Sequence, residues 1–236
     1  MKLALLGHGR MGRVIAAQAR AAGHEVAAIV TSGNAADAAR LLPGHDVAID
    51  FSVPAAVPAH AAACAAAGVP LVEGTTGWHE EEAAVRRLVA ERRATLVYGP
   101  NFSIGVNLFY RVVAGAARQF RGLAAYDPFI EEAHHARKRD APSGTAIMLR
   151  DILRRETGRD EVPVASMRAG HIPGTHRVGF DSVGDEILLT HTARSRDGFA
   201  AGALLAARWI MGRREAGMHC FTDVLDDVLA MERTLV

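Results

Sequence analysis

The stretch that decides the fold covers residues 2–12 and reads Lys2-Leu3-Ala4-Leu5-Leu6-Gly7-His8-Gly9-Arg10-Met11-Gly12. A short apolar run leads directly into Gly-x-Gly-x-x-Gly and then into a stretch with helical periodicity. This is the strand, turn and helix setting that a dinucleotide-binding fingerprint requires. Glycines there permit a tight turn and let a pyrophosphate approach the helix N-terminus. The alternative is a glycine turn with a structural role only. We predict a dinucleotide site formed by Gly7, His8, Gly9, Arg10, Met11 and Gly12.

Apolar runs alternate with amphipathic stretches through the first part of the chain, which is typical of a parallel sheet with crossover helices. Ligands of such sheets bind at the carboxyl ends of the strands. The predicted strands cover residues 2–6, 26–30, 47–50, 71–73 and 95–98. The predicted helices between them cover residues 11–22, 54–67 and 80–92.

The pattern changes after Ser103 and predicts a second, α+β unit. A helix near 106–120 leads into a long strand that ends at Glu132, and a further helix runs from about 143 to 155. Later apolar runs separated by turn residues look like antiparallel strands. These runs cover residues 164–168, 176–180 and 186–193, and two more helices are predicted at 199–212 and 222–231.

Three strand ends carry small or hydroxyl-bearing residues that could contact a nicotinamide cofactor. The second strand ends in Val30-Thr31-Ser32 with neither a carboxylate for a ribose 2′-hydroxyl nor a basic group for a 2′-phosphate. Either NADPH or NADH could therefore be used, with a weak preference for NADPH. Ordinary turn chemistry is the alternative explanation for the other two loops. The predicted contacts are Thr31, Gly74, Thr75, Thr76, Pro100, Asn101, Phe102 and Ser103.

Composition excludes several classes of protein. The formal net charge is +1 and the basic residues are dispersed, so the electrostatic footprint of a nucleic-acid binder is missing. The two cysteines, Cys64 and Cys220, have neither metal-ligand spacing nor the density of a disulfide framework. The apolar run at residues 3–6 is too short for a signal peptide or a membrane span. We expect a protein of the reducing cytoplasm that binds neither nucleic acid nor a membrane.

A basic cluster follows the long strand of the second unit. His134, His135 and Lys138 lie within five residues, and Lys138 is one of only two lysines among 27 Lys plus Arg. A lysine can transfer a proton when its pKa is lowered, whereas an arginine essentially never does. Adjacent histidines point to different sides of the backbone, so one can act as acid or base while the other binds an anion. A zinc site is conceivable, but no cysteine or third well-spaced histidine supports it, and we predict no metal.

The helix after this cluster starts with Ser143-Gly144-Thr145. Its free amides, two hydroxyl groups and dipole form a seat for a carboxylate. Simple N-capping by Ser143 is the alternative, and both can hold at once. We predict that His135, Ser143, Gly144 and Thr145 contact an anionic substrate.

Five motifs, taken together and in this order, closely resemble the 4-hydroxy-tetrahydrodipicolinate reductase family, also called dihydrodipicolinate reductase. The longest, His-His-x-x-Lys-x-Asp-Ala-Pro-Ser-Gly-Thr-Ala, is far more specific than the glycine fingerprint. The motifs extend along nearly the whole chain and are Gly7–Gly12, Asp50-Phe51-Ser52, Gly74–Gly77, Asn101-Phe102-Ser103 and Glu132–Ala146.

The resemblance implies an NADPH- or NADH-dependent reduction of 4-hydroxy-tetrahydrodipicolinate to tetrahydrodipicolinate in diaminopimelate and lysine biosynthesis. It implies that His134 is the acid/base group, Lys138 the proton donor, and His135, Gly144 and Thr145 substrate contacts. It further implies a Rossmann-like dinucleotide-binding domain of residues 1–103 plus 197–236. A second domain, residues 104–196, would bind the substrate and build a homotetramer through its mixed or antiparallel sheet.

Two other functions remain compatible with the fold. Another nicotinamide-dependent dehydrogenase, such as an amino-acid dehydrogenase, would share the two-domain plan but would not need the whole block from His134 to Thr145. A noncatalytic dinucleotide sensor could bind NADPH but would have little reason to keep Lys138 beside His134. An assay of cofactor oxidation with the substrate separates these three.

Overall fold

The computed structural model describes residues 1–212 and 215–234, and the side chains of 1–212 and 215–231. The chain forms two compact units. Met1–Ile104 and Arg196–Val236 make up the first, so this unit contains both ends of the sequence. Gly105–Ser195 make up the second from one continuous segment.

The first unit is built on a six-stranded parallel sheet. Its strands are β1 (Lys2–Leu6), β2 (Glu25–Val30), β3 (Val47–Asp50), β4 (Leu71–Glu73), β5 (Thr95–Tyr98) and β10 (Gly217–Cys220). Their order across the sheet is β10-β5-β4-β3-β1-β2, and every neighbouring pair is parallel. The helices are α1 (Arg10–Ala21), α2 (Ala38–Leu41), α3 (Val57–Ala67), α4 (Glu82–Glu91), α7 (Asp197–Met211) and α8 (Phe221–Thr234).

Helices cover both faces of this sheet because its strands are apolar on both sides, as in parallel sheets generally. On one face, Leu3, Leu5 and Ile49 pack in a cluster with residues of α1, α7 and α8. On the other face, Leu6 and Leu71 pack in a cluster with residues of α3 and α4. The carboxyl ends of the strands are left free to form a site.

The second unit carries a four-stranded mixed sheet with two helices. Its elements are α5 (Ile104–Gln119), β6 (Asp127–His134), α6 (Gly144–Thr157), β7 (Val164–Arg168), β8 (Thr175–Asp181) and β9 (Glu186–Thr192). The strand order is β7-β6-β8-β9. Residues of α5 and α6 form one core with β6 and β8 around Val113, Ile130, Leu149, Val178 and Phe180.

The predicted fold class is confirmed, with two corrections to its elements. Strand β7 was predicted antiparallel, but it pairs parallel with β6. Helix α6 lies between these strands in sequence and carries the chain back to the same end of the sheet, as a crossover connection does. Strand β10 and the short helix α2 were not predicted. Among the described residues, no helix is long and apolar enough to span a membrane.

Candidate functional site

The first unit has a cavity of about 570 Å³ at the carboxyl ends of its strands. The loops after β1, β3, β4 and β5 all contribute to its wall. Nine of the predicted cofactor contacts line it: Gly9, Arg10, Met11, Gly74, Thr75, Thr76, Pro100, Asn101 and Phe102. Residues that were not predicted also line it: Phe51, Ser52, Pro54, Arg196 and Phe199.

The glycines of the first loop satisfy two different steric requirements. Gly7 has φ +94°, and a Cβ there would lie 2.6 Å from the carbonyl oxygen of Phe51. A Cβ on Gly12 would lie 2.2 Å from the carbonyl oxygen of Gly7, so this glycine lets α1 pack against the turn. Beside Gly9, by contrast, no atom of the described structure lies within 4 Å of the Cβ position. The backbone at Gly9 is therefore open to a ligand.

The N-terminus of α1 is suited to an anion. Its N-cap is Gly9, which has no side chain to satisfy the first amides of the helix. Unsatisfied amides and the helix dipole together favour a phosphate group at such a position. The cavity and the glycine loop thus fit the pyrophosphate of a dinucleotide.

The remaining predicted cofactor contacts are not among the residues that line the cavity. Gly7 and Gly12 shape the turn, Ser103 is buried, and His8 and Thr31 are exposed. In the loop after β2, the side-chain oxygen of Asn34 accepts a 2.6 Å hydrogen bond from the Thr31 amide. The Asn34 amide group donates to the Ile29 carbonyl oxygen at 3.0 Å. Asn34 therefore fixes the loop in which a cofactor's 2′ group would be distinguished.

In the second unit, the C-terminal end of strand β6 presents two side chains on one face of the sheet. Glu132 and His134 alternate with Ala133, and both are buried. The Glu132 carboxylate accepts a short hydrogen bond from Nδ1 of His134. This bond fixes the orientation of the imidazole ring and leaves Nε2 of His134 directed toward Gly174, where a Cβ would lie 3.2 Å away.

An arginine compensates the buried carboxylate. Nη2 of Arg168 lies 2.6 Å from Oε1 of Glu132, and the Ser143 amide donates to the same oxygen at 3.3 Å. Burial alone would raise the pKa of Glu132. Hydrogen bonds from Arg168, Ser166 and His134 outweigh burial and lower the pKa of Glu132 to about 2. Glu132 is therefore a carboxylate at every pH near neutrality.

His176 joins this cluster from the neighbouring strand, since it is paired with Glu132 in the β6–β8 register. The His134 and His176 rings lie 5.1 Å apart. Burial, reinforced by the charge of His134, lowers the pKa of His176 to about 4. Burial also lowers the pKa of His134; Glu132 opposes this effect, while Lys138 and Arg168 add to it. Both imidazoles are therefore neutral at pH 7.

Lys138 lies in the turn between β6 and α6 and is engaged by a nearby carboxylate. Its Nζ donates to both carboxylate oxygens of Asp140, at 2.8 and 2.7 Å. This bond lowers the pKa of Asp140. The Lys138 charge also reaches His134 and His176, lowering the pKa of each. The lysine and the two imidazoles thus share one electrostatic environment.

The start of α6 is capped by the side chain of Ser143. The Ser143 oxygen accepts from the Ala146 amide at 3.2 Å and lies 3.1 Å from Nε2 of His176. Gly144 is exposed, with open space at its Cβ position, and Thr145 is half-buried. Nδ1 of His135 is buried and has no hydrogen-bonding partner among the residues that the structure describes. Gly144 and Thr145 thus remain available at the helix start, while the Ser143 oxygen is already engaged.

Glu132, His134 and His176 also offer three potential metal-ligand atoms within 4.8 Å of one another. The positive charges of Arg168 and Lys138 beside these atoms favour binding of an anion over binding of a metal cation. Arg168 is bonded to Glu132, and the Lys138 charge acts on both histidines.

Sequence reasoning missed the roles of Glu132, Arg168 and His176 in this cluster. Glu132 could have been found, because a carboxylate two residues before His134 in a strand lies on the same face. Arg168 and His176 lie on other strands, and only the sheet register brings them to β6. The sequence predicts His176 only as the first residue of the strand 176–180.

Comparison with protein families gives matches to both parts of the chain. The model described as "Dihydrodipicolinate reductase, N-terminus" matches residues 1–102, and the one described as "Dihydrodipicolinate reductase, C-terminus" matches residues 105–225. Together they cover nearly the whole sequence.

Several curated proteins that are similar to the chain are named 4-hydroxy-tetrahydrodipicolinate reductase. The protein from Christiangramia forsetii is 37% identical over an alignment that covers 97% of this chain and 99% of the relative. The protein from Myxococcus xanthus is 42% identical over 76% of this chain and 72% of the relative.

Solved structures support the fold. A dipicolinate-bound dihydrodipicolinate reductase from Paenisporosarcina sp. TG-14 has a TM-score of 0.76 at 21% identity, covering 93% of this chain and 97% of that one. A probable dehydrogenase from Thermotoga maritima has a TM-score of 0.61 at 11% identity, covering 95% and 92%. The matches to both family models and the 37% identity to a full-length relative show that the chain belongs to the dihydrodipicolinate reductase family.

Proposed function

We propose that the protein reduces 4-hydroxy-tetrahydrodipicolinate to tetrahydrodipicolinate with NADPH or NADH, a step of diaminopimelate and lysine biosynthesis. The observation that carries this proposal is the cluster in the second unit. A lysine, neutral imidazoles and an open helix start lie together there, which suits an anionic substrate that needs a proton. Family membership fixes the reaction class.

The cofactor is held by the first unit. The amides at the start of α1, with Gly9 and Arg10, would bind the pyrophosphate. The loops after β4 and β5, with Thr75 and Asn101, would hold the nicotinamide half. Once bound, the reduced nicotinamide supplies a hydride. His8, Thr31 and Ser103 remain predicted contacts of the same cofactor, and neither cofactor is favoured by a charged group in the loop after β2.

The substrate is a dicarboxylate and is held by the second unit. Gly144 and Thr145 offer backbone amides and a hydroxyl group to one carboxylate. His135 remains a predicted contact of the substrate. Ser143 contributes mainly by capping α6, because its oxygen is already engaged. The dipicolinate named in the structure from Paenisporosarcina is a molecule of the same class.

Lys138 donates the proton. After loss of water, a hydride added to a ring carbon of the substrate moves electron density toward the ring nitrogen, and a proton must complete the reduction. The Lys138 ammonium can deliver it, and its charge offsets the substrate carboxylates. His134 is the acid/base partner. Its neutral ring, held by Glu132, keeps Nε2 free to exchange a proton.

We also propose that the enzyme works as a homotetramer in the cytoplasm. One face of the second unit's sheet packs on α5 and α6, and apolar side chains are exposed on other parts of this sheet. Met167, Ile187 and Leu188 are each about half exposed, and a groove of about 440 Å³ lies beside Met167 and Arg177. Large exposed apolar surfaces mark interfaces between proteins.

The test is oxidation of NADPH or NADH with the substrate generated in place by the preceding synthase. Lys138→Ala should lower kcat by about 10²- to 10⁴-fold and leave the cofactor Kd unchanged, because it removes a proton-transfer group. Lys138→Arg should be almost as poor, because arginine keeps the charge but not the proton. Lys2→Arg, at the other lysine, is the matched control and should keep full turnover. Normal kcat in Lys138→Arg would show that charge alone suffices, and no activity in the parent would refute the function.

A further inference from the structure

A second group of buried titratable residues lies in the first unit, beneath the proposed cofactor cavity. Asp50 ends β3 and Glu73 ends β4, and the two residues are direct partners in the parallel register. Both are fully buried, and because they are register partners on adjacent strands, their carboxyl groups lie on the same face of the sheet. A hydrogen bond between two carboxyl groups requires a proton on one of them.

The remaining donors around the pair leave one oxygen that only this proton can satisfy. Asp50 accepts from the Ser52 amide at 2.8 Å and from Nδ1 of His60 at 2.6 Å. Oε1 of Glu73 accepts from the Thr75 amide at 2.7 Å. Oε2 of Glu73 is buried and accepts from no donor group among residues 1–212 and 215–231.

No strong cation compensates the pair. Within the described part of the chain, neither carboxyl forms an ion pair with a lysine or arginine; His60, from α3, is the one basic group in contact. Cys64 also faces the pair from α3, and burial, reinforced by the charges of Asp50 and Glu73, raises the pKa of its thiol. Burial and the Asp50 charge raise the pKa of Glu73 well above its usual range, against the opposing bonds from Thr75.

The pair is joined directly to the cavity wall. Ser52 and Thr75 both line the cavity, and each donates its amide to one of the two carboxyl groups. The Thr75 hydroxyl connects the two loops, since it accepts from the Ser52 amide at 3.1 Å and lies 3.4 Å from Asp50. The protonation state of the pair therefore acts on two loops that would contact the cofactor.

We propose that Asp50 and Glu73 share one proton that positions the Ser52 and Thr75 loops for the cofactor, so that cofactor affinity falls when this proton is lost at alkaline pH. This inference rests on the proposed function, because it takes the cavity as the cofactor site. Loss of the proton places two adjacent negative charges below a ligand that is itself an anion. The two carboxylates then repel each other, and this repulsion displaces the two loops whose amides they bind.

The experiment measures the Kd of NADH by calorimetry from about pH 7 to about pH 9.5. NADH is used because it lacks the 2′-phosphate of NADPH, whose own titration would otherwise contribute. The parent should lose affinity by about tenfold or more across this range. Glu73→Gln should keep its affinity throughout, because glutamine cannot ionise yet still accepts from Thr75 and donates to Asp50. Glu80→Gln, at an exposed carboxylate of the neighbouring short helix, is the matched control and should follow the parent.

Infrared spectroscopy supplies a second measurement that does not need the cofactor. At neutral pH the parent should show the carbonyl stretch of a buried protonated carboxyl group, and Glu73→Gln should lack it. The proposal is overturned if this band is absent, or if NADH binds equally at both ends of the pH range. It is also overturned if Glu73→Gln loses affinity as steeply as Glu80→Gln. Failure of both NADH and NADPH to bind at any pH would instead refute the proposed cofactor site.

Discussion

Each unit of this protein buries a carboxylate against a histidine, and the two arrangements differ in one component. In the second unit, Glu132 is bonded to His134 and also to the guanidinium of Arg168. In the first unit, Asp50 is bonded to His60, and the next charged group is a second carboxyl, Glu73. The pKa of Glu132 falls to about 2, whereas the pKa of Glu73 rises.

The difference shows that burial does not decide whether a carboxyl group is charged. Desolvation raises the pKa of both Glu132 and Glu73, and it is the largest contribution in each case. The sign of the result depends on whether the nearest partner is a donor cation or another acid. A buried carboxyl group bonded to a histidine is therefore part of a site with a lowered carboxyl pKa in one unit and with a raised carboxyl pKa in the other.

Removal of the Arg168 guanidinium should have the largest effect on the free energy of unfolding. Arg168→Met leaves Glu132 buried without its compensating charge, and the apparent free energy of unfolding of the second unit should fall by about 3–5 kcal/mol. Urea unfolding at neutral pH measures this loss. Arg118→Met removes an ion pair whose arginine is exposed and whose carboxylate, Glu156, keeps Arg155 as a partner, so it should cost about 0–1 kcal/mol. Equal losses in the two variants would contradict a special role for Arg168.

The pH dependence of stability should have opposite signs in the two units. The lowered pKa of Glu132 gives stability that is present above the unfolded value of 4.5 and is lost as pH falls through about 2. That loss is about 3 kcal/mol in the parent and should be absent in Glu132→Gln. The raised pKa of Glu73 gives stability that is present in acid and lost as pH rises.

Urea midpoints of the parent, Glu132→Gln and Glu73→Gln across a pH series check both signs. Glu132→Gln should flatten the profile below the unfolded pKa of 4.5, and Glu73→Gln should flatten it above that value. A parent profile that Glu132→Gln leaves unchanged in acid would mean that Arg168 does not hold Glu132 ionised.

Substitution of one threonine in each proposed site should weaken binding of the ligand at that site and leave binding of the other ligand unchanged. Thr145→Val removes a hydroxyl group at nearly constant volume and should weaken binding of pyridine-2,6-dicarboxylate by about 1.5–3 kcal/mol, the range for a hydrogen bond to a charged group. Cofactor Kd should not change. Thr75→Val, in the other unit, should weaken the cofactor and spare the dicarboxylate. If the inhibitor binds Thr145→Val as tightly as the parent, the carboxylate-binding site must lie elsewhere.

The smallest effect on stability should come from substitutions at the start of helix α6. Helix α6 is capped by Ser143, whereas α1 begins at Gly9 without a side-chain cap. Ser143→Ala should lower thermal stability by about 1 kcal/mol, and Ser143→Gly by only a few tenths. Calorimetric unfolding of both variants tests this order. If glycine proved as costly as alanine, the contact between Ser143 and His176 would matter more than the cap.

The sequence predicted most of the first sheet because its strands are short apolar runs bounded by turn residues. Strands β1, β3, β4 and β5 begin and end at the predicted residues. Strand β10 was missed because Gly217-Met218-His219-Cys220 has neither an apolar run nor alternation, and only its pairing with β5 makes it a strand. The direction of β7 depends on how α6 returns the chain, which local periodicity does not encode.

Sequence motifs located the candidate site better than its supporting residues. The residues from His134 to Thr145 are close in sequence, so their grouping could be predicted. Arg168 and His176 come to this group through partners in neighbouring strands, more than thirty residues away in sequence. Likewise, Asp50 was seen as part of a motif, but its pairing with Glu73 exists only because β3 and β4 are adjacent.

The first unit is built from two segments that flank the second unit in sequence, and this has a consequence for synthesis on the ribosome. Leu3, Leu5 and Ile49 of the first sheet pack in one cluster with Ala203, Leu204 and other residues of α7. The second unit lies between these segments and is continuous, so it can fold as soon as its own residues have emerged. The nascent first unit must wait through the translation of residues 105–195 with part of its apolar face uncovered. The first unit therefore begins synthesis before the second unit but completes its core after it.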